Sequence, residues 1–335
     1  MIDKKIKQKS VLLTGAGGAA VPDLITMLES KRYRVLTADM DKNAVGLYVA
    51  DKGLLLPAGE SDEFLPALKE ICYKENVDAI IPLVDEELEK ACELEKDGIT
   101  VLLPKKNFIS KCLDKYILMK ELKKNGIAVP NTQLATDDLK NIQYPIIVKP
   151  RTGRGSRGVV YISSKEKLDA YITDYKGNLE DLLLQEYIDG TEYTVSVVVW
   201  RDSEVQAVIP KEIIYKKGIT RMAITRRNKK IDQLCRVVQQ CLRADGPFNV
   251  QLRLNDKGDP YIFEINPRFS TSISLTIAAG IDEINLLLEQ ALFGYKPKSR
   301  DDWKEGIVLL RHTTDKFIEE ADYLLRRKSI MEERK

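Results

Sequence analysis

The chain of 335 residues contains one histidine, His312, which rules out a histidine-based catalytic triad and any metal site built on several imidazoles. Its five cysteines, Cys72, Cys92, Cys112, Cys235 and Cys241, are odd in number and lack the close pairing of metal sites. They read as reduced thiols in a cytoplasmic protein. Long hydrophobic runs are absent as well: no stretch reaches the roughly 18 apolar residues that a membrane span needs. The lysine-rich residues 1–10 are followed by only Val11, Leu12 and Leu13 before Thr14 and Gly15, too short a run for the core of a secretion signal. Charge of one sign is also missing, because 53 basic residues face 51 acidic ones for a net charge of +2. Neither nucleic acid nor a membrane is therefore expected as a partner.

What is present supports a globular protein, with 44% hydrophobic residues for more than one core. The first hundred residues alternate short apolar runs with helical patterns, the signature of a parallel α/β domain. Strands are expected at 11–13, 34–38, 53–56, 79–83 and 100–103, with helices at 21–30, 62–75 and 86–96 between them. The glycine-rich turn at 14–19, with Asp39 ending the second strand, leaves three readings open: a phosphate- or NAD-binding turn, a purely architectural one, or a contact to an acidic substrate. Its glycine spacing fits the dinucleotide fingerprint poorly.

A second set of signals starts after Pro104. A helix is expected over 114–125, and a strand at 145–150 carries Lys149 near its end. Residues 151–158, with three glycines and three arginines, read as a flap whose N–H groups and guanidiniums suit polyphosphate. Strands at 182–188, 193–200 and 205–210 follow, then a helix over 231–244. A hairpin of 248–254 and 261–265 sets Gln251 on the strand facing Glu264. In the run 263–269, residues two apart point the same way, so Glu264, Asn266 and Arg268 are expected on one face. An acid, an amide and a guanidinium together suit a Mg2+–phosphate group. The basic stretch between Lys211 and Arg227 reads equally as a solvated hairpin or an anion site.

In this order, Lys149, the glycine flap, Gln185-Glu186-Tyr187-Ile188, Glu192, Gln251 and the Glu264–Arg268 run resemble the ATP-grasp superfamily, on its carbamoyl-phosphate-synthetase large-subunit-like branch. The resemblance implies α/β and α+β architecture: a doubly wound pre-ATP-grasp domain followed by a two-lobed ATP-grasp domain. The expected boundaries are 1–108 for the first, 109–190 for a small lobe bearing the flap, 191–300 for a large lobe with the metal and phosphate site, and 301–335 for a strand and helix tail. It implies ATP and Mg2+ as cofactors, with Mn2+ as an alternative. Lys115 and Lys149 would contact phosphates, with Gly153, Arg154, Gly155 and Ser156 above them. Gln185, Glu186, Tyr187 and Ile188 would form the adenine hinge, and Glu192 would hold the ribose. Gln251, Glu264 and Asn266 would ligate metal, while Arg268 and Lys211 would act on the transferring phosphoryl group.

The implied activity is an ADP-forming carboxylate–amine ligase acting on small molecules, as a homodimer. Two alternatives stand beside it. One is a single-half enzyme of carbamoyl-phosphate-synthetase type that uses bicarbonate or carbamate. The other is a nucleotide-binding module without catalysis.

Overall fold

The computed structural model describes residues 8–138, 142–296 and 298–332. The N-terminal stretch runs β1 (Ser10–Thr14), α1 (Val21–Ser30), β2 (Arg34–Asp39), α2 (Gly46–Val49), β3 (Lys52–Leu55), α3 (Phe64–Lys74), β4 (Ala79–Ile81), α4 (Leu88–Ala91) and β5 (Thr100–Val101). All pairs in its sheet are parallel, in the order β3-β2-β1-β4-β5. Strands covered on both faces must be apolar throughout, and Val11, Leu12 and Leu13 are fully buried.

The single helix expected over 86–96 is instead α4 flanked by 3-10 turns at Asp85–Glu87 and Cys92–Asp97. The first turn is tightened because Glu87 folds back and accepts from the N–H groups of Leu83 and Val84, and from the Thr14 hydroxyl. Burial lifts its carboxyl to about 7 despite those bonds. In the glycine turn after β1 the Gly17 N–H donates to the Asp39 carboxylate at 2.8 Å. A Cβ on Gly15 would lie 2.6 Å from the Val84 side chain.

The next stretch contains α5 (Lys106–Leu113), α6 (Lys115–Lys124), β6 (Thr132–Leu134), β7 (Ile146–Pro150), β8 (Val160–Ile162), α7 (Lys165–Asp174), β9 (Leu182–Glu186), β10 (Thr191–Val199), β11 (Val205–Lys217), β12 (Ile219–Thr225), α8 (Lys229–Leu242), β13 (Phe248–Leu254) and β14 (Pro260–Asn266). It is followed by α9 (Ile273–Ala278), α10 (Glu283–Phe293), β15 (Val308–Leu310) and α11 (Glu320–Glu332).

The chain forms two compact units. Residues 271–298 and 312–335 group with the N-terminal 106, while 107–270 and 299–311 make the second unit. Strand β15 pairs with β12 in the second unit's sheet. In α11, by contrast, Arg326 donates to the Ala50 carbonyl of the first unit at 2.7 Å, and Tyr323 stacks on Tyr48.

The second unit has a sheet of order β6-β9-β7-β8 and another of order β14-β13-β10-β11-β12-β15. Helix α8 shows why the larger sheet is covered on one side. Ile231, Cys235, Val238 and Leu242 repeat at helical spacing and enter the same core as Val195, Val197, Val250 and Ile265. Each such valine contributes about 1.5–3 kcal/mol through burial. Helix α6 starts at Asp114, whose carboxylate accepts from the N–H groups of Tyr116 and Ile117 and takes a two-pronged contact from Arg151. Asp114→Ala is expected to destabilise the protein by about 1–2 kcal/mol, mostly through the lost cap, since the ion pair is partly solvated. A thermal melt unchanged from the parent would contradict that.

Candidate functional site: a cleft between two sheets of one unit

Strand alternation sends one face of each sheet in the second unit to a core and the other to a cleft. In β7, Ile146 and Val148 enter the small sheet's core while Ile147 and Lys149 face the opening. In β9, Leu182 and Leu184 do the same while Gln185 turns outward. On the large sheet, Glu264 stands opposite Gln251, then Thr194, then Lys211; the next row sets Asn266 opposite Asn249 and Ser196. Directly opposed residues share a face, so these polar groups form two rows on the side away from the valine core.

The cleft has a volume of about 370 Å3. Lys115, Lys149, Gly153, Arg154 and Ser156 all line it, as do Gln185, Glu186, Tyr187 and Ile188 of the hinge and Glu192, Gln251 and Glu264 of the large sheet. Lys149 is 5% exposed and donates to Gln185 Oε1 at 2.8 Å and to the Phe263 carbonyl at 3.1 Å. Burial lowers its pKa to about 8, with Lys115 and Lys216 adding to the depression and Glu264 opposing it. Lys115 reaches the Gly153 carbonyl of the flap at 2.6 Å and Glu264 at 3.5 Å. In the flap, Gly153 and Gly155 have φ of +104° and +68° with no neighbour within 4 Å of an added Cβ, so glycine serves backbone conformation there and not space. The Glu186 side chain accepts from the Asn131 N–H at 3.0 Å and so braces the hinge.

Gly155, Lys211, Asn266 and Arg268 are not among the residues lining this cleft. Gly155 sits within the flap between lining residues. Lys211 is fully buried, held by the hydroxyls of Ser196 and Ser270 at 2.8 and 2.9 Å. Asn266 bonds to Asn249 at 3.3 Å, and Arg268 lies beyond the end of β14 with its guanidinium on the Phe269 carbonyl at 3.1 Å. The expected alternation is also altered by a bulge at Phe263, opposite the Gln251–Leu252 step, which leaves both Phe263 and Glu264 lining the cleft.

Two further cations line the cleft. Lys216, from the basic stretch that reads equally as a solvated hairpin or an anion site, sits on Glu192 at 2.9 Å and on Gln251 Oε1 at 3.4 Å. Arg253 contacts Tyr187 and Glu192; the one sequence signal for it is its position two residues after Gln251, on the same strand face.

Among the described residues no group of three or more histidine, cysteine, aspartate or glutamate side chains exists to cage a metal. The donors present still fit Mg2+ bound with a nucleotide. Glu264 supplies one carboxylate and Gln251 an amide oxygen directly opposite, and both already attract ammonium groups. Mg2+ in such sites takes most of its shell from water and phosphate.

Comparison with known proteins places this geometry. Residues 112–272 match the model of the ATP-grasp domain, and 11–102 match that of the PylC-like N-terminal domain. A D-alanine–D-alanine ligase of Petrotoga mobilis is 30% identical over 200 residues, spanning 52% of this chain and 66% of that protein. A carbamoyl-phosphate synthase of Methanobrevibacter smithii is 23% identical over 314 residues, or 85% of this chain and 82% of its own length. The biotin carboxylase domain of Hydrogenobacter thermophilus 2-oxoglutarate carboxylase, solved with MgADP and bicarbonate, superposes with a TM-score of 0.71 at 18% identity, covering 89% of this chain and 72% of that one. At that identity the structural likeness speaks for the fold alone.

Proposed function

The chain belongs to the ATP-grasp superfamily, with its ATP-grasp domain behind a PylC-like N-terminal domain, and from that premise we propose that the cleft binds Mg-ATP and activates a small-molecule carboxylate for capture by an amine. A carboxylate oxygen attacks the γ-phosphorus, the bond to the bridging β–γ oxygen breaks, and ADP leaves. The amine then attacks the acyl carbon of the acylphosphate, phosphate departs and the nitrogen releases a proton. The observation that carries this reading is the meeting of a buried lysine, Lys149, with the Glu264 carboxylate beneath a glycine flap. Such an arrangement offsets charge at a transferring phosphoryl group and needs no covalent help from the protein.

When bound, Mg2+ would neutralise the β- and γ-oxygens, held by Glu264 and Gln251 with Asn266 beside them. Lys115 and Lys149 hold the phosphates, the flap of Gly153, Arg154, Gly155 and Ser156 excludes water, and residues 185–188 take the base. Lys211, fully buried outside the cleft lining, is proposed to act with Arg268 on the transferring phosphoryl group. Cytoplasmic residence and a homodimer belong to the same proposal. Among the described residues no helix is long and apolar enough to cross a membrane.

The test is ADP release from Mg-ATP over a panel of amino acids, dipeptides and small carboxylates, with hydroxylamine present to trap any acylphosphate as a hydroxamate. ADP together with hydroxamate on at least one acid is the expected result; neither product across the panel would overturn the proposal. Arg268 has a more specific role in it, stabilising the phosphoryl group in transit. Arg268→Ala should therefore lower kcat by about a hundredfold while leaving ATP affinity within about threefold. Equal losses in both would contradict that role.

A further inference from the structure

Glu192, the acid assigned to the ribose, is not a lone carboxylate at the cleft wall. Its Oε1 takes Lys216 at 2.9 Å and its Oε2 takes Arg253 at 3.4 Å. Arg253 stands directly across the β10–β13 ladder from Glu192. The same guanidinium donates to the Tyr187 hydroxyl at 2.9 Å and to the carbonyls of Ile188 and Gly190 at 3.3 Å, and it packs over the Tyr187 ring at 4.8 Å. Tyr161, in the middle of β8, packs edge-on to Tyr187 at 5.3 Å. Between hinge and strand the backbone runs close: a Cβ on Gly190 would lie 1.8 Å from the Leu254 carbonyl, so this turn fits against β13 only without a side chain.

Resting on the proposed nucleotide site, we infer that Arg253 is a positioning residue that fixes the hinge and aims Glu192, and that it thereby sets the selectivity of the cleft for a ribose bearing both hydroxyls. The chemistry requires arginine. A planar fork with several N–H donors can bind a carboxylate, a phenol and two carbonyls while stacking on an aromatic ring; an ammonium on a flexible stem cannot. Each carboxylate oxygen keeps a second lone pair, so Glu192 can accept from a sugar hydroxyl while Arg253 and Lys216 stay in place. Held this way, the carboxylate loses little freedom when the nucleotide arrives, and a missing hydroxyl leaves one oriented acceptor position of Glu192 unfilled in the cleft.

The experiment is calorimetric titration of the full chain with MgADP and with its 2′-deoxy and 3′-deoxy analogues, which needs no knowledge of the acid substrate. The parent is expected to bind at least one deoxy analogue about tenfold or more weaker than MgADP, the scale of a hydrogen bond to a charged group. In Arg253→Met that ratio should fall to within about threefold of unity, and Glu192→Gln should do the same. The double variant should show no further change. The ratio does not depend on the fraction of correctly folded protein, so general destabilisation cannot imitate the result. Arg253→Lys gives a second reading should the Met variant fail to fold: it too should lose the ratio, whereas retained discrimination in the Lys variant would reduce Arg253 to a bulk charge and overturn the inference. A parent that binds MgADP without discriminating, or an Arg253→Met variant that keeps the parent ratio, would also overturn it while leaving the nucleotide site standing. A parent that binds no nucleotide would remove both.

Discussion

Glu264→Gln is expected to lower ADP formation by about a hundred- to a thousandfold, with little change in stability. The substitution keeps shape but replaces one acceptor oxygen by an NH2 group and removes the charge of the carboxylate that stands opposite the amide of Gln251. The loss should be large because the other groups around it, Lys115, Lys149 and Lys216, are cations, and among the described residues no group of three or more acidic, histidine or cysteine side chains is placed to hold a metal. The tests are a coupled ADP assay at saturating Mg2+ and a melting curve. Turnover within tenfold of the parent would mean that the metal is held by phosphate alone.

Lys149→Met should weaken Mg-ATP binding by about tenfold to a hundredfold, the value of a charge-assisted contact to phosphate in a site shielded from water. Removing it also strands the Gln185 oxygen and the Phe263 carbonyl that its ammonium now satisfies. Titration in the parent supplies an independent check. Because burial depresses this amine to about 8, the cation that phosphate needs is present below that pH and lost above it. Nucleotide affinity should therefore be flat up to about pH 8 and then fall by about tenfold per unit, and the Met variant should show no such fall. For folding the sign is opposite. From about 8 to its ordinary 10.5 the unfolded chain holds the extra proton, so this residue's contribution to stability rises with pH across that window. A parent whose affinity is flat to pH 9.5 would contradict the assignment of Lys149 to phosphate.

Much of the site was visible in sequence because strands impose a period of two. Lys149 beside Ile147, and Glu264 opposite Gln251, could be placed on a polar face without coordinates, since the intervening residues, Val148 and Ile265, are apolar and must seek a core. Residues 151–158 announced a flap through composition alone. Contacts across distance leave no such pattern. Residues 86–96 have the pattern of one helix, yet they form α4 between two 3-10 turns, the first closed by the Glu87 side chain bonding back to Leu83, Val84 and Thr14. The glycines at 15–18 leave several readings open, and only the position of Asp39 in space shows its carboxylate accepting from the Gly17 N–H.

The sequence by itself determined the identity of the machinery: one histidine to exclude a triad, an ordered set of lysine, flap, acid and amide to indicate ATP, and alternation to say which side of each strand those groups take. These are local properties, fixed by residue type and by the periodicity of the backbone. Tertiary structure alone decided which charges meet. The bulge at Phe263 brings Glu264 beside Lys115. A hairpin more than twenty residues from Glu192 returns Lys216 to it, and a strand some sixty residues on sets Arg253 across from it. Those partners depend on strand register and bulges, which follow from packing of the whole sheet and leave no pattern in neighbouring residues.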